Sequence, residues 1–195
     1  QKGNKCVMGA SVTVADIADS PIFKKYFPYL QTYIKLVSST QIRNMATIAG
    51  NFMNGSPIGD FTIFFLALDA QLVLSNGLSS REIPLRKLYK GYKTLDKTAD
   101  EFVEKIYFEL PTATSKFNFE KVSKRINLDI ASVNSAINLN LEGDTIASAG
   151  ISAGGVGPIP AFLVKSSSFL EGKKVSVETL HGLIDIVQTE ITPIS

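Results

Sequence analysis

Between Phe61 and Leu68 the chain reads FTIFFLAL, eight residues of which only Thr62 is polar. A helix that is apolar on every face belongs inside a core rather than on a surface. The run is also far short of the roughly 20 apolar residues that cross a bilayer. The fold therefore has to wrap around it. The segment just before it has the opposite character: QIRNMATIAGNFMNGSPIGD, Gln41 to Asp60, is dominated by small and amide-bearing side chains. Such a stretch covers its backbone poorly. Thr47–Asn51 reads as a turn in which Gly50, lacking a Cβ, lets a ligand approach the main chain. Consecutive N–H groups there would form an anion-binding concavity. Asp60 stands where the N-cap of the buried helix is expected.

Composition narrows the function classes. The 195 residues are 45% hydrophobic and 19% charged, enough for a proper core in one large or two small domains. A net charge of +2 gives no strong field to draw nucleic acid or a membrane surface. The single cysteine, Cys6, excludes an internal disulfide or a cysteine-ligated zinc or iron–sulfur site within these residues. The single histidine, His181, gives metal catalysis no better support. The first residues, QKGNKCVMGA, lack the apolar core of a signal peptide, and a reducing cytoplasm is the expected location.

Along the chain, a strand is expected near residues 5–9, with helices over 14–19 and 21–33. A hairpin joins 71–75 to 81–85 through Asn76-Gly77, and a further strand runs from Phe102 to Leu110. The polar stretch PTATS, 111–115, is the expected boundary. Strands over 117–122, 131–141 and 145–153 follow, the last two joined by Glu142-Gly143-Asp144. Helices are expected over 161–170 and 177–190, the latter with Leu180, Leu183, Ile184 and Val187 on one face. The layout is α+β: an α/β subdomain over 1–112, then a three-stranded antiparallel sheet with helices over 113–195.

Two motifs need weighing. Gly150-Ile151-Ser152-Ala153-Gly154 fits the spacing of a nucleophile elbow, which requires a helix directly afterwards. Gly155, Gly157, Pro158 and Pro160 argue against one, and His181 sits on an amphipathic helix facing water. Neither a phosphate-binding Walker loop nor a Gly-x-Gly-x-x-Gly fingerprint occurs. The segment Glu120-Lys121-Val122-Ser123-Lys124-Arg125 places three cations within five residues. It reads either as a charged sheet edge that resists aggregation or as a cationic wall for a phosphate or an electron-rich ring.

These residues also carry a resemblance. QIRNMATIAGN followed by SPIGDF and LDAQLVL resembles the flavin domain of the xanthine dehydrogenase family of molybdenum hydroxylases. There the pattern runs close to Gln-Ile-Arg-Asn-x-Ala-(Thr/Ser)-x-Gly-Gly-Asn, then Ser-Pro-x-x-Asp. KVSKRINLDIASVNSAINL and AGISAGGVGPIP are similar to the strand pair and the ending of that family's C-terminal flavoprotein domain, in the same order along essentially the whole chain. The resemblance implies an FAD-binding component that receives electrons from iron–sulfur clusters and passes them to NAD or another acceptor. The clusters and the molybdopterin would lie on other domains or subunits, in a higher oligomer of the complex. By position it implies that Thr47, Ile48, Ala49, Gly50 and Asn51 form one FAD-gripping loop. Asp60 binds the cofactor's polar groups, Lys121 lies beside the flavin, a residue at or near Ile106 packs on the ring system, and Val37 lines the pocket. No residue of the chain acts as catalytic acid, base or metal ligand.

The sequence departs from the family pattern in two respects. Ala49 stands where the first glycine of the pair is usual, and the family's other FAD loop, roughly Ala-Gly-Gly-Thr, belongs to a subdomain ahead of Gln1. A fragment holding part of the FAD site is therefore expected. Two other classes stay open: a copy that has lost FAD and bridges partner subunits, and a flavin reductase or oxidase of the same wider fold.

Overall fold

The computed structural model describes residues 1–125 and 128–192. The chain opens with strand β1 (Lys5–Gly9), followed by short helices α1 (Val14–Asp19), α2 (Pro21–Tyr26), α3 (Leu30–Lys35), α4 (Thr40–Met45) and α5 (Ile48–Met53) and the buried helix α6 (Asp60–Ala67). Strands β2 (Gln71–Ser75), β3 (Ser80–Pro84), β4 (Tyr89–Gly91), β5 (Thr94–Leu95) and β6 (Phe102–Glu109) complete the first half. The second half holds β7 (Ser115–Val122), β8 (Val133–Glu142), β9 (Thr145–Gly154), the two-residue β10 (Ala161–Phe162), and helices α7 (Val164–Leu170) and α8 (Val177–Glu190).

Local chemistry explains most boundaries. Thr13 and Asp16 form a capping box at α1, the Thr13 hydroxyl accepting from the Asp16 amide (3.0 Å) and the Asp16 carboxylate accepting from the Thr13 amide (2.8 Å). The single helix expected over 21–33 is broken in two. Phe27 precedes Pro28, whose ring pushes the preceding residue out of helical space, and Phe27 has φ −126°. The Asn76-Gly77 turn joins β2 to β3, with Gly77 at φ +85°.

The strands form two main sheets, ordered β1-β6-β2-β3 and β10-β9-β8-β7, and every pairing is antiparallel. The α+β layout is the expected one, with two refinements. The first half carries an antiparallel sheet where the sequence suggested an α/β unit, and Ala161–Phe162, expected to begin a helix, adds a short fourth strand to the second sheet.

Helix α6 lies between the sheets. Seven of its eight residues are buried. The Phe65 ring is 5.5 Å from that of Phe108 on β6, and the Phe64 ring is 4.5 Å from Phe117 on β7. One aromatic cluster thus joins both sheets. The helix rests directly on β9: a Cβ on Gly150 would fall 2.2 Å from the Ala67 carbonyl oxygen. Ser152 is fully buried and donates its hydroxyl to the Ile63 carbonyl at 2.7 Å. The apparent nucleophile elbow is therefore a strand whose glycines and serine seat a helix.

Helix α8 closes the far side of the second sheet. Leu183 and Val187 pack against the cluster under α7, whereas Leu180 and Ile184 are half-exposed, so only part of the expected apolar face is covered. Glu190 at its end accepts from the Ser166 hydroxyl and from the Lys165 and Ser166 amides at 2.6–2.8 Å, capping α7. Burial raises the Glu190 carboxyl, but those three donors outweigh it and the net shift is downward.

Candidate functional site

The structure gathers Asp60 and Lys121 from opposite halves of the chain. On adjacent strands β7 and β8, Lys121 and Asn134 are direct cross-strand partners, so their side chains share one face of the sheet. Both reach the first turn of α6. Lys121 Nζ donates to Asp60 Oδ2 at 2.7 Å and to the Leu36 carbonyl at 2.8 Å. Asn134 Nδ2 donates to Asp60 Oδ1 at 2.7 Å and to the Ile58 carbonyl at 3.1 Å. The Lys121 side chain is only 3% exposed and that of Asp60 14%. Asp60 is not the N-cap: Gly59 holds that position, and Asp60 is the first helical residue. Its carboxylate gains from the helix's positive end while being claimed by partners far along the chain.

This ion pair forms one wall of a cleft of about 740 Å³, bounded also by Ser38, Asn51, Ser56 and Gly59 on one side and by Arg125, Asp129 and Ala131 on the other. The size is that of a small-molecule site. Arg125 is bonded through its guanidinium (3.1 Å) and its amide (2.8 Å) to Asp129, and the same contacts hold the Asp129 carboxyl below its ordinary value. The three cations read in sequence thus behave differently. Lys121 is buried and paired at the cleft, Arg125 is paired at its rim, and Lys124 is an exposed charge near the sheet edge.

The structure corrects the reading of Thr47–Asn51 as an open turn with bare amides. Ile48–Met53 is a helix, and Thr47 is its N-cap. The Gly50 amide donates to Thr47 Oγ1 (3.0 Å), the Ile48 amide to the Val12 carbonyl (2.9 Å), and the Asn51 amide to the Thr47 carbonyl (3.0 Å). Asn51 Oδ1 accepts from the Thr62 amide and hydroxyl at 2.9 and 3.0 Å, tying α5 to α6. Ile48 is fully buried, so its side chain serves the core. Thr47, Ala49 and Gly50 line a second cleft of about 310 Å³ with Ser11, Met53 and Glu101. Asn51 lines the larger one, so α5 separates the two. At the smaller cleft Glu101 is held by Arg81 and the Thr98 amide, which bring its carboxyl down to about 2.

Two other expected residues lie elsewhere. Ile106 is fully buried in β6, paired with Met8 and Leu72, so its side chain belongs to the core. Val37 is 9% exposed and borders a small apolar recess with Tyr33, Phe64, Phe119 and Asp60, the last of which also lines the large cleft. Sequence reasoning missed Asn134, which holds Asp60 from behind. The available signal was a polar residue at an inward position of a strand, in register with Ala136 on the same face. Missed too was Gly154. A Cβ there would lie 2.2 Å from Asn134 Oδ1 and 2.7 Å from the Pro57 carbonyl oxygen.

Chemically the large cleft offers hydrogen-bonding groups and balanced charge. The chain's one histidine is exposed on α8, and its one cysteine is buried in β1, where burial pushes the thiol up. Among the described residues no cluster of His, Cys, Asp and Glu suits a metal ion, and no helix is long and apolar enough to cross a membrane. The arrangement suits holding and orienting a group that brings its own chemistry.

Residues 1–112 match the family described as FAD binding domain in molybdopterin dehydrogenase, and residues 118–195 match the CO dehydrogenase flavoprotein C-terminal domain. The chain is 28% identical over 191 residues to the glyceraldehyde dehydrogenase medium chain of Sulfolobus acidocaldarius, covering 97% of this chain and 67% of that one. It is 28% identical over 202 residues to the xanthine dehydrogenase of Emericella nidulans, covering 96% of this chain and 15% of that protein. In fold it is similar to a chain of the carbon monoxide dehydrogenase from Hydrogenophaga pseudoflava that lacks the Mo-pyranopterin moiety. The TM-score is 0.93 at 24% identity, covering all of this chain and 68% of that one. The sequence thus spans about two thirds of the medium chain it matches and a small part of the longer xanthine dehydrogenase. With both halves matched in order, the chain belongs to the family of FAD-binding domains of molybdopterin dehydrogenases.

Proposed function

We propose that this chain holds FAD as the electron-transfer component of a molybdenum hydroxylase. Iron–sulfur and molybdopterin groups would lie on partner domains or subunits of a larger oligomer, and NAD is the proposed acceptor. On this reading residues 1–112 and 113–195 are two domains that build one site between them, and the complex works in the cytoplasm, where a lone reduced cysteine is at home. The observation that carries the reading is the Asp60–Lys121 pair, which joins the two family-matched halves at the wall of a cleft of about 740 Å³.

The residues present fit the cofactor. Lys121 has three N–H donors, and two are engaged by Asp60 and Leu36, so a third can serve a ligand in the cleft. Asp60 supplies a carboxylate at the same wall. Thr47, Ala49, Gly50 and Asn51 border the two clefts on either side of α5 and are proposed to hold the remainder of the dinucleotide. Ile48, Val37 and Ile106 lie in the buried core on which α5 and α6 rest. When bound, FAD supplies the redox chemistry, and the protein sets its orientation and access. Asp60 neutralises much of the Lys121 charge, so the pair acts on the cofactor as a dipole, and Lys121 favours the acceptance of electrons by less than the ~1–4 kcal/mol of a lone cation at ~4 Å.

Gly50→Val, made in the complete polypeptide that carries this chain, tests the reading. A Cβ there would sit 2.8 Å from Thr47 Oγ1, displacing the cap, and the added methyls would enter the smaller cleft. Loss of an N-cap costs about 0.5–2 kcal/mol, so the variant is expected to fold while its flavin-to-protein ratio falls severely. A variant that keeps its full complement of FAD would reject the assignment of α5. A wild-type protein that never takes up FAD would instead favour a copy whose role is assembly.

A further inference from the structure

We infer that Asn134 is a positioning residue for the flavin site, acting through Asp60 on Lys121; this rests on the reading that FAD occupies the large cleft. Asn134 is 1% exposed, and both hydrogens of its amide nitrogen are engaged, one by Asp60 Oδ1 and one by the Ile58 carbonyl. Its Oδ1, also buried, accepts no hydrogen bond among the described residues. The amide cannot be turned round, because the oxygen would then face two acceptors. A buried acceptor without a donor lowers stability, and an apolar side chain of the same shape would avoid that loss. What Asn134 contributes is therefore its pair of donors.

The surroundings are shaped to admit it. Lys121, Asn134 and Gly154 form one row across β7, β8 and β9, and all three abut the segment from Pro57 to Asp60. Gly154 must be bare for the amide to fit, since a Cβ would fall 2.2 Å from Asn134 Oδ1. The consequence is a division of Asp60: one carboxylate oxygen belongs to Asn134 and the other to Lys121. Without Asn134 the carboxylate can turn and present both oxygens to the ammonium. That would engage the donor Lys121 keeps for a ligand and weaken its positive field on the cleft side.

The test uses the complete FAD-loaded polypeptide and measures the flavin midpoint potential, the FAD dissociation constant and the melting temperature. Asn134→Leu is compared with Asn134→Ser, which retains a donor, and with Lys121→Met. The Leu variant is expected to move the potential downward, in the same direction as Lys121→Met but by less. It should also weaken FAD binding about tenfold. The Ser variant should fall between Leu and wild type. If Lys121→Met shifts potential and affinity while the two Asn134 variants change only the melting temperature, Asn134 is merely structural and the inference is overturned. If Lys121→Met moves neither quantity, the placement of flavin beside Lys121 is itself wrong. Should the Leu variant fail to fold, a Ser variant with wild-type potential and affinity would still overturn the inference.

Discussion

Replacing Asp60 by alanine is expected to remove about 3–5 kcal/mol of folding free energy, because it strands a buried ammonium. Lys121 would keep only the Leu36 carbonyl, and Asn134 only the Ile58 carbonyl, at a junction where water hardly reaches. The size of the effect follows from the 3% exposure of the Lys121 side chain, since an exposed pair of the same length is worth a fraction of a kcal/mol. Denaturant unfolding of the complete polypeptide checks it, with Asp60→Asn as comparison. The amide still offers an oxygen to Lys121 but sets an N–H₂ group against Asn134, so an intermediate loss is expected. A loss under about 1 kcal/mol in the alanine variant would mean that Lys121 escapes to water and that the two halves are not joined through this pair.

Phe65→Ala is expected to be as damaging, at about 3–5 kcal/mol, for an unrelated reason. Phe65 has no exposed surface, and its ring lies 5.2–6.3 Å from those of Phe23, Phe52, Phe61, Phe64 and Phe108. Removing it opens a cavity in a helix held between two sheets, where collapse from either side is resisted. Thermal unfolding should show a large drop, while Leu78→Ala, at a turn position 97% exposed, should stay within about 0.5 kcal/mol of wild type. Phe65 does not border either cleft around α5, so whatever fraction of the variant folds should bind FAD with ordinary affinity. A Phe65 variant of nearly native stability would show that the core does not close around α6.

Much of this architecture can be read from local pattern. FTIFFLAL could only be a core helix, the Asn76-Gly77 turn fixed the first hairpin, and the Glu142-Gly143-Asp144 turn placed β8 and β9 within two residues of their bounds. Other features depend on distant partners. Thr47, Gly50 and Asn51 are poor helix formers individually, so α5 looked like a turn; the Thr47 cap and its ties to Val12 and Thr62 override that propensity. Asp60 resembled an N-cap because its true partners lie 61 and 74 residues away. The Gly-x-Ser-x-Gly spacing is discounted by the glycines and prolines that follow it, and what the segment does instead, seating α6 on β9, needed the fold. At Ile106 the resemblance supplied a position while the pleat of β6 decided which face it occupies. Asn134 left the faintest trace, one polar residue on an inward face, and its meaning required Asp60 and Lys121 in three dimensions.

The most direct measurement is a crystal structure of the complete polypeptide with FAD bound. The expected result is a flavin in the cleft between Asn51–Asp60 and Lys121–Ala131, within hydrogen-bonding reach of Lys121 Nζ, with Asn134 still bonded to Asp60. Electron density for FAD at some other surface, with this cleft filled by the protein's own side chains, would contradict the account.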